Sequence, residues 1–157
     1  MNKQTNPIWA YVIFIGIALG VGGLAAALNA GQFQMPELTR PPLSPPGWLF
    51  FVVWTVLYTL MGVSAARVWL TGSPAVSDAL FAWATQLVVN FLWTIFYFRF
   101  RALLLSFFWL LFLLALVWLM VVRFRRIDRR AGNLQIPYLI WLGFAGYLNF
   151  ATWLLNR

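Results

Sequence analysis

Polarity along the chain falls into five long apolar runs with short polar breaks, at about residues 7–29, 45–69, 78–98, 102–124 and 134–154. Each is close to the ~20 residues that an α-helix needs to cross a ~30 Å hydrocarbon core. Apolarity is continuous within each run, without the alternation of a barrel strand, so the runs predict helices. The expected fold is all-α: an integral membrane bundle of five transmembrane helices, a single domain over residues 1–157 with no room for a separate soluble module. The breaks carry their own signals. Ser44 is placed to cap the second helix, with Pro45 and Pro46 in its first turn. Ser77 with Asp78 is placed to start the third, after a Gly72-Ser73-Pro74 turn. Arg99 and Arg101 bound the third connection, and RFRRIDRRAGN, residues 123–133, is too charged for lipid and reads as the fourth.

Polar groups inside the runs are the next signal. In the third, Trp83, Gln86, Asn90, Trp93 and Tyr97 recur every three or four residues and therefore share one helix face. Amides in hydrocarbon need partners, which turns this face toward the bundle interior. They serve either as interhelical glue or as the wall of a ligand site, and two amides flanked by two indoles leave those alternatives about even. The second run has a matching stripe of Phe51, Trp54, Tyr58, Met61 and Ala65. The fifth has Tyr138, Trp141, Ala145, Leu148 or Asn149, and Thr152, with Gly143 and Gly146 giving room for a helix or a ligand. Trp9, Trp48, Trp69, Trp109 and Trp153 read instead as an interfacial aromatic belt. Gly16-x-x-x-Gly20 in the first run is a weak small-residue signal for a dimer face.

Composition narrows the chemistry. The chain is 63% hydrophobic and 9% charged, against roughly 25% charged in a soluble domain. It has no cysteine and no histidine, so disulfides, thiol nucleophiles, imidazole catalysis and the usual zinc sites are excluded, and no metal site is expected. The three acids, Glu37, Asp78 and Asp128, stand apart near helix ends or in loops, against a paired-carboxylate mechanism. No run has an acid, lysine or histidine near its middle, as proton relays and ion-coupled transport require. The formal charge of +8 comes from basic residues bracketing the runs, a distribution suited to anionic headgroups and not to nucleic acid. Lys3, Arg67, Arg123, Arg125, Arg126, Arg129 and Arg130 fall on the N-terminal side; Arg40, Arg99, Arg101 and Arg157 fall on the other. That bias predicts a cytoplasmic N-terminus and a first loop, roughly residues 30–44, facing away. No cleavable leader follows from the first run, and a bacterial cell membrane is the economical location.

Three stretches together carry a resemblance. PPGWLFFVVWTVLYTLM at 45–61, QLVVNFLWTIFYF at 86–98 and PYLIWLGFAGYLN at 137–149, in this order and within five runs, resemble the TspO family of tryptophan-rich sensory proteins, related to the mitochondrial translocator protein or peripheral benzodiazepine receptor. The resemblance covers the whole chain. It implies a five-helix bundle, a homodimer, and one ligand pocket opening toward the first loop. The ligands it implies are tetrapyrroles such as protoporphyrin IX and haem and other flat hydrophobic molecules, bound in their transport or sensing, with no obligatory cofactor. By motif the pocket would take Phe51, Trp54, Gln86, Asn90, Trp141 and Ala145, and the stripes add Tyr58 and Trp93. Arg40 of the first loop is, by its charge alone, the partner expected for a carboxylate at the mouth. An enzymatic alternative is light-dependent oxidative degradation of bound protoporphyrin, in which Trp54 and Trp141 would take part; a further alternative is a regulatory membrane scaffold without a small-molecule site. Three positions depart from the family pattern: Leu43 where Trp precedes the PPG, Gln34-Met35 in place of an aromatic pair, and Phe150 where a sterol-recognition pattern has Tyr. Sterol binding is accordingly not expected.

Overall fold

A computed structural model describes residues 6–157; Lys3, counted above in the charge bias, lies outside the described residues. Five helices are long and apolar enough to cross a membrane: α1 (Pro7–Leu28), α2 (Gly47–Leu70), α3 (Val76–Thr94) with the π-helical turn Ile95–Arg99 that continues it, α4 (Leu103–Ile127) and, after the short α5 (Arg129–Asn133), α6 (Ile136–Leu155). No strand occurs among the described residues. The fold is the expected all-α membrane bundle.

The helix ends show where local sequence chemistry acts. At α1, Asn6 is the cap, its Oδ1 accepting from the Ile8 N–H at 3.1 Å, with Pro7 in the first position where no N–H is needed. At α2 the cap is Pro46 in extended conformation, without a side-chain bond. Ser44 does not cap; its hydroxyl donates to the Pro41 carbonyl at 2.7 Å, and both prolines precede the helix. α3 starts at Val76, ahead of the Ser77-Asp78 start read from the sequence. There Ser73 makes the local turn, its Oγ accepting from the Ala75 N–H at 3.3 Å, while Asp78 lies in the first turn where the helix dipole favours an anion.

The fourth connection differs most from expectation. α4 runs on through Arg123, Arg125 and Arg126, and Asp128 then caps α5, accepting from the Arg130 N–H at 2.9 Å. The charged stretch is helical because its arginines reach water from the end of the bundle; charge excludes it from lipid, and not from helix.

α1 packs along α2 and touches α3, α3 packs on α4, and α4 on α6. α2 and α6 close this ring through side chains: Trp54 meets Tyr138, and Gln135 Nε2 donates to the Leu60 carbonyl (3.0 Å) and Ser64 Oγ (2.6 Å). Contact between α1 and α2 needs Gly62, where an added Cβ would lie 2.6 Å from the Ile15 backbone nitrogen. Gly16 and Gly20 have nothing near a would-be Cβ and stand on the outer surface. Trp9, Trp48 and Trp69 are exposed, as a belt requires. Trp109 is not part of it: half-buried, its indole donates to the Val89 carbonyl at 2.8 Å and ties α4 to α3.

The bundle thus has a proximal end, carrying the start of α1 and α5, and a distal end, carrying the first loop. That loop is fastened to three neighbours. Arg101 pairs with Glu37, Asn156 exchanges bonds with both the N–H and the C=O of Thr39, and the Tyr147 hydroxyl donates to the Pro42 carbonyl.

Candidate functional site

Below the first loop lies a cavity of about 370 Å³ between the loop, α2, the π turn and the last turns of α6. Its aromatic wall is Phe33, Phe50, Phe51, Tyr97 and Phe98; Arg40 and Ser44 supply polar groups from the loop, and Leu148 and Thr152 come from α6. A smaller hollow of about 50 Å³ continues inward to Trp54 and Tyr58, sharing Phe33, Phe50, Phe51 and Phe98 with the first. Only the outer space reaches the ~300–1,000 Å³ usual for small-molecule sites.

The π turn shapes this mouth. A regular helix would keep the α3 stripe at Trp93 and Tyr97 and carry Phe98 round to another face. Widening the turn by a residue lets Tyr97 and Phe98 both line the cavity. Phe98 is buried and meets Phe33 edge-on at 4.8 Å between ring centroids, as well as Phe50 at 5.9 Å. Phe33 also meets Phe51 at 5.1 Å. One loop aromatic therefore stands beside Gln34-Met35 and joins the loop to two helices.

The eight residues expected at the site divide into groups. Phe51, 45% exposed, lines both spaces, and Trp54 and Tyr58 line the inner one. Gln86 and Asn90, each fully buried, are tied into the bundle: Gln86 Oε1 accepts from the Tyr138 hydroxyl at 2.9 Å, and Asn90 Nδ2 donates to the Tyr58 oxygen at 3.2 Å. These bonds tie α3 to α2 and α6, as interhelical glue would, while Asn90 Oδ1 has no partner. Trp93 stacks on Tyr97 at 5.5 Å and donates to Asn149 Oδ1 at 3.2 Å; Asn149 in turn donates to the Leu103 carbonyl. Trp141 and Ala145 fall outside the linings of both spaces, Trp141 packing on Phe144 at 5.5 Å.

Two indole N–H groups, those of Trp54 and Trp141, are buried without an acceptor. An unsatisfied buried donor costs ~1–3 kcal/mol; the Trp54 indole borders the inner hollow, whereas the Trp141 indole lies outside both spaces. Trp54 also sits in a file of rings, with Tyr58 at 5.5 Å on one side and Trp93 at 6.3 Å on the other. Around the mouth the chemistry is aromatic surface, one guanidinium, and hydroxyls. Among the described residues no His, Cys, Asp or Glu cluster suited to a metal occurs.

Phe33, Phe50 and Phe98 escaped the sequence reading. Phe50 adjoins the stripe member Phe51, and Phe98 needs the π turn, which no local pattern announces. Phe33 had one available signal, as the single aromatic residue of the first loop, between Gln32 and Gln34.

The TspO/MBR family model matches residues 10–154. The chain is 34% identical to the tryptophan-rich protein TspO of Chlorobaculum tepidum over 99% of each chain. It is 36% identical to the tryptophan-rich sensory protein of Cereibacter sphaeroides, covering 96% of this chain and 94% of that one. The translocator protein of Bos taurus is 29% identical, covering 96% of this chain and 93% of its own. With five helices among the described residues long and apolar enough to cross a membrane, a family match over nearly the whole sequence and relatives covered over more than nine-tenths of their length, the chain belongs to the TspO/MBR family and is an integral, multi-pass membrane protein.

Proposed function

We propose that this protein is a membrane sensor or binder whose ligand is a tetrapyrrole such as protoporphyrin IX or haem, held in the distal cavity under the first loop. The observation that carries the reading is the mouth itself: about 370 Å³ walled by five aromatic rings, with Arg40 at its rim. A porphyrin is a rigid aromatic plane with carboxylates on one edge. Its faces suit Phe and Tyr rings, each contact contributing ~0.5–1.5 kcal/mol beyond burial, and its carboxylates suit a guanidinium. Trp54, at the inner end with an unpartnered N–H, offers a hydrogen bond to a ring that penetrates further. A relative named for sensing supports the role.

The test is titration of the detergent-purified protein with protoporphyrin IX, followed by tryptophan quenching. The Trp54→Phe variant should bind about fivefold more weakly, the loss of the hydrogen-bonding indole at the inner end of the cavity, while Trp141→Phe, outside both linings, should bind within about twofold of the parent. Unchanged affinity in Trp54→Phe would remove that indole from the site.

A second reading, light-dependent oxidation of the bound pigment by dioxygen, is favoured by the file Tyr58–Trp54–Trp93–Tyr97, four oxidisable rings in successive contact beside the cavity. The pigment would supply the chemistry and the protein the confinement. Bleaching under illumination that matches free pigment in the same detergent would rule it out.

A further inference from the structure

The proximal end has a cleft of a different character. Tyr11 of α1, Val63 and Arg67 of α2, Arg130 and Asn133 of α5, and Leu134 enclose about 440 Å³. Asp128 organises one side of it. Its Oδ2 accepts from Arg67 Nε at 2.8 Å and Nη2 at 2.7 Å, and its Oδ1 accepts from the Arg130 N–H at 2.9 Å. The carboxylate is thereby consumed in fixing Arg67 and the start of α5. Among the described residues, Arg67 Nη1 and the Arg130 guanidinium have no acceptor.

Position sets the class of ligand. Tyr11 lies one turn inside α1, Arg67 in the last turn of α2, and α5 just before α6, so the cleft stands where headgroups meet hydrocarbon. Cations and an amide share the lining with Val63 and Leu134, and the neighbouring outer face of α1 exposes Ile8 and Val12. A soluble anion needs no such apolar flank; the glycerol and upper acyl chain of a lipid do. Arg123, Arg125, Arg126 and Arg129 at the same end, against Asp78 as the other acid, keep the local field positive. Basic pockets between membrane helices take phosphate headgroups in this way. We infer that this cleft binds the phosphodiester headgroup of an anionic membrane lipid, with Arg67 and Arg130 on the phosphate and Tyr11 and Asn133 completing its hydrogen bonds.

The experiment uses the full chain in a neutral detergent, with phosphatidylglycerol or phosphatidylcholine added and lipid retention read by native mass spectrometry. One phosphatidylglycerol per chain should be retained at about tenfold lower concentration than phosphatidylcholine. Arg130→Glu should weaken that retention about tenfold and Asn133→Ala about threefold, while Arg129→Glu, outside the lining, should leave it within about twofold. If Arg130→Glu does not fold, Asn133→Ala and Tyr11→Phe decide between site and no site. Equal retention of the two lipids, or equal losses in Arg129→Glu and Arg130→Glu, would show diffuse surface charge and overturn the site. Displacement of the lipid by millimolar inorganic phosphate would overturn the lipid assignment in favour of a free anion.

Discussion

The two halves of the third membrane crossing carry one continuous stripe of indoles, amides and phenol, yet they end in opposite conditions. In the proximal half, Trp83 donates to the Met61 carbonyl, Gln86 takes the Tyr138 hydroxyl and Asn90 reaches Tyr58. Polar atoms there are mostly satisfied across helices, and neither distal space extends to this half of the stripe. In the distal half the helix widens into the π turn, the rings of Tyr97 and Phe98 border open space, and the neighbouring chain is a loop. The same residue types make a lock where they find partners and a wall where the backbone turns them toward a cavity. Stripe membership places a residue inside the bundle; it does not decide between cohesion and recognition.

That contrast can be tested from its strongest consequence downward. Gln86→Ala removes the acceptor of the buried Tyr138 hydroxyl and opens a gap, and should cost about 2–4 kcal/mol in stability. Thermal unfolding in detergent would show it, with protoporphyrin affinity of the surviving folded protein little changed. A variant that keeps its stability and loses affinity would return Gln86 to the binding wall. Phe51→Ala makes the opposite case. Half-exposed and shared by both spaces, it should leave unfolding nearly unchanged and weaken protoporphyrin binding about fivefold, one aromatic contact. Arg40→Gln is finer: about threefold weaker binding of the dicarboxylate, with the dimethyl ester of the pigment unaffected, as expected for one solvent-screened charge. The smallest effect belongs to Glu37→Gln, which breaks an exposed pair with Arg101 and should change stability by less than about 1 kcal/mol.

Five crossings were legible because hydrocarbon imposes length and apolarity on every one, whatever the side chains do inside. The end chemistry was less so. Ser44 has the right type for a cap, but extended Pro46 takes the capping position and leaves the hydroxyl to its own loop. α5 was hidden by its arginines, since polarity reports exclusion from lipid and says nothing of backbone shape. At the candidate site, Phe51, Trp54 and Tyr58 follow from helical spacing, whereas Phe33 and Phe98 depend on a loop fold and a π turn that are tertiary outcomes. Trp141 shares the spacing of the α6 stripe, yet Leu148 and Thr152, further along it, are the members that reach the mouth. Spacing assigns a face, and depth along the helix decides what that face meets.

The fastening of the first loop has a consequence for kinetics. Its ties to Arg101, Asn156 and Tyr147 are exposed polar contacts at the rim, two of them to Asn156, beside the Phe33 ring packed on Phe51 and Phe98, while the helices beneath are clasped by buried bonds. A ligand held as proposed under that strap would come and go through loop motion at the rim, on the nanosecond-to-microsecond scale, without a helix displaced. Residence time would then be governed by the strap, and the bundle would serve as its rigid frame.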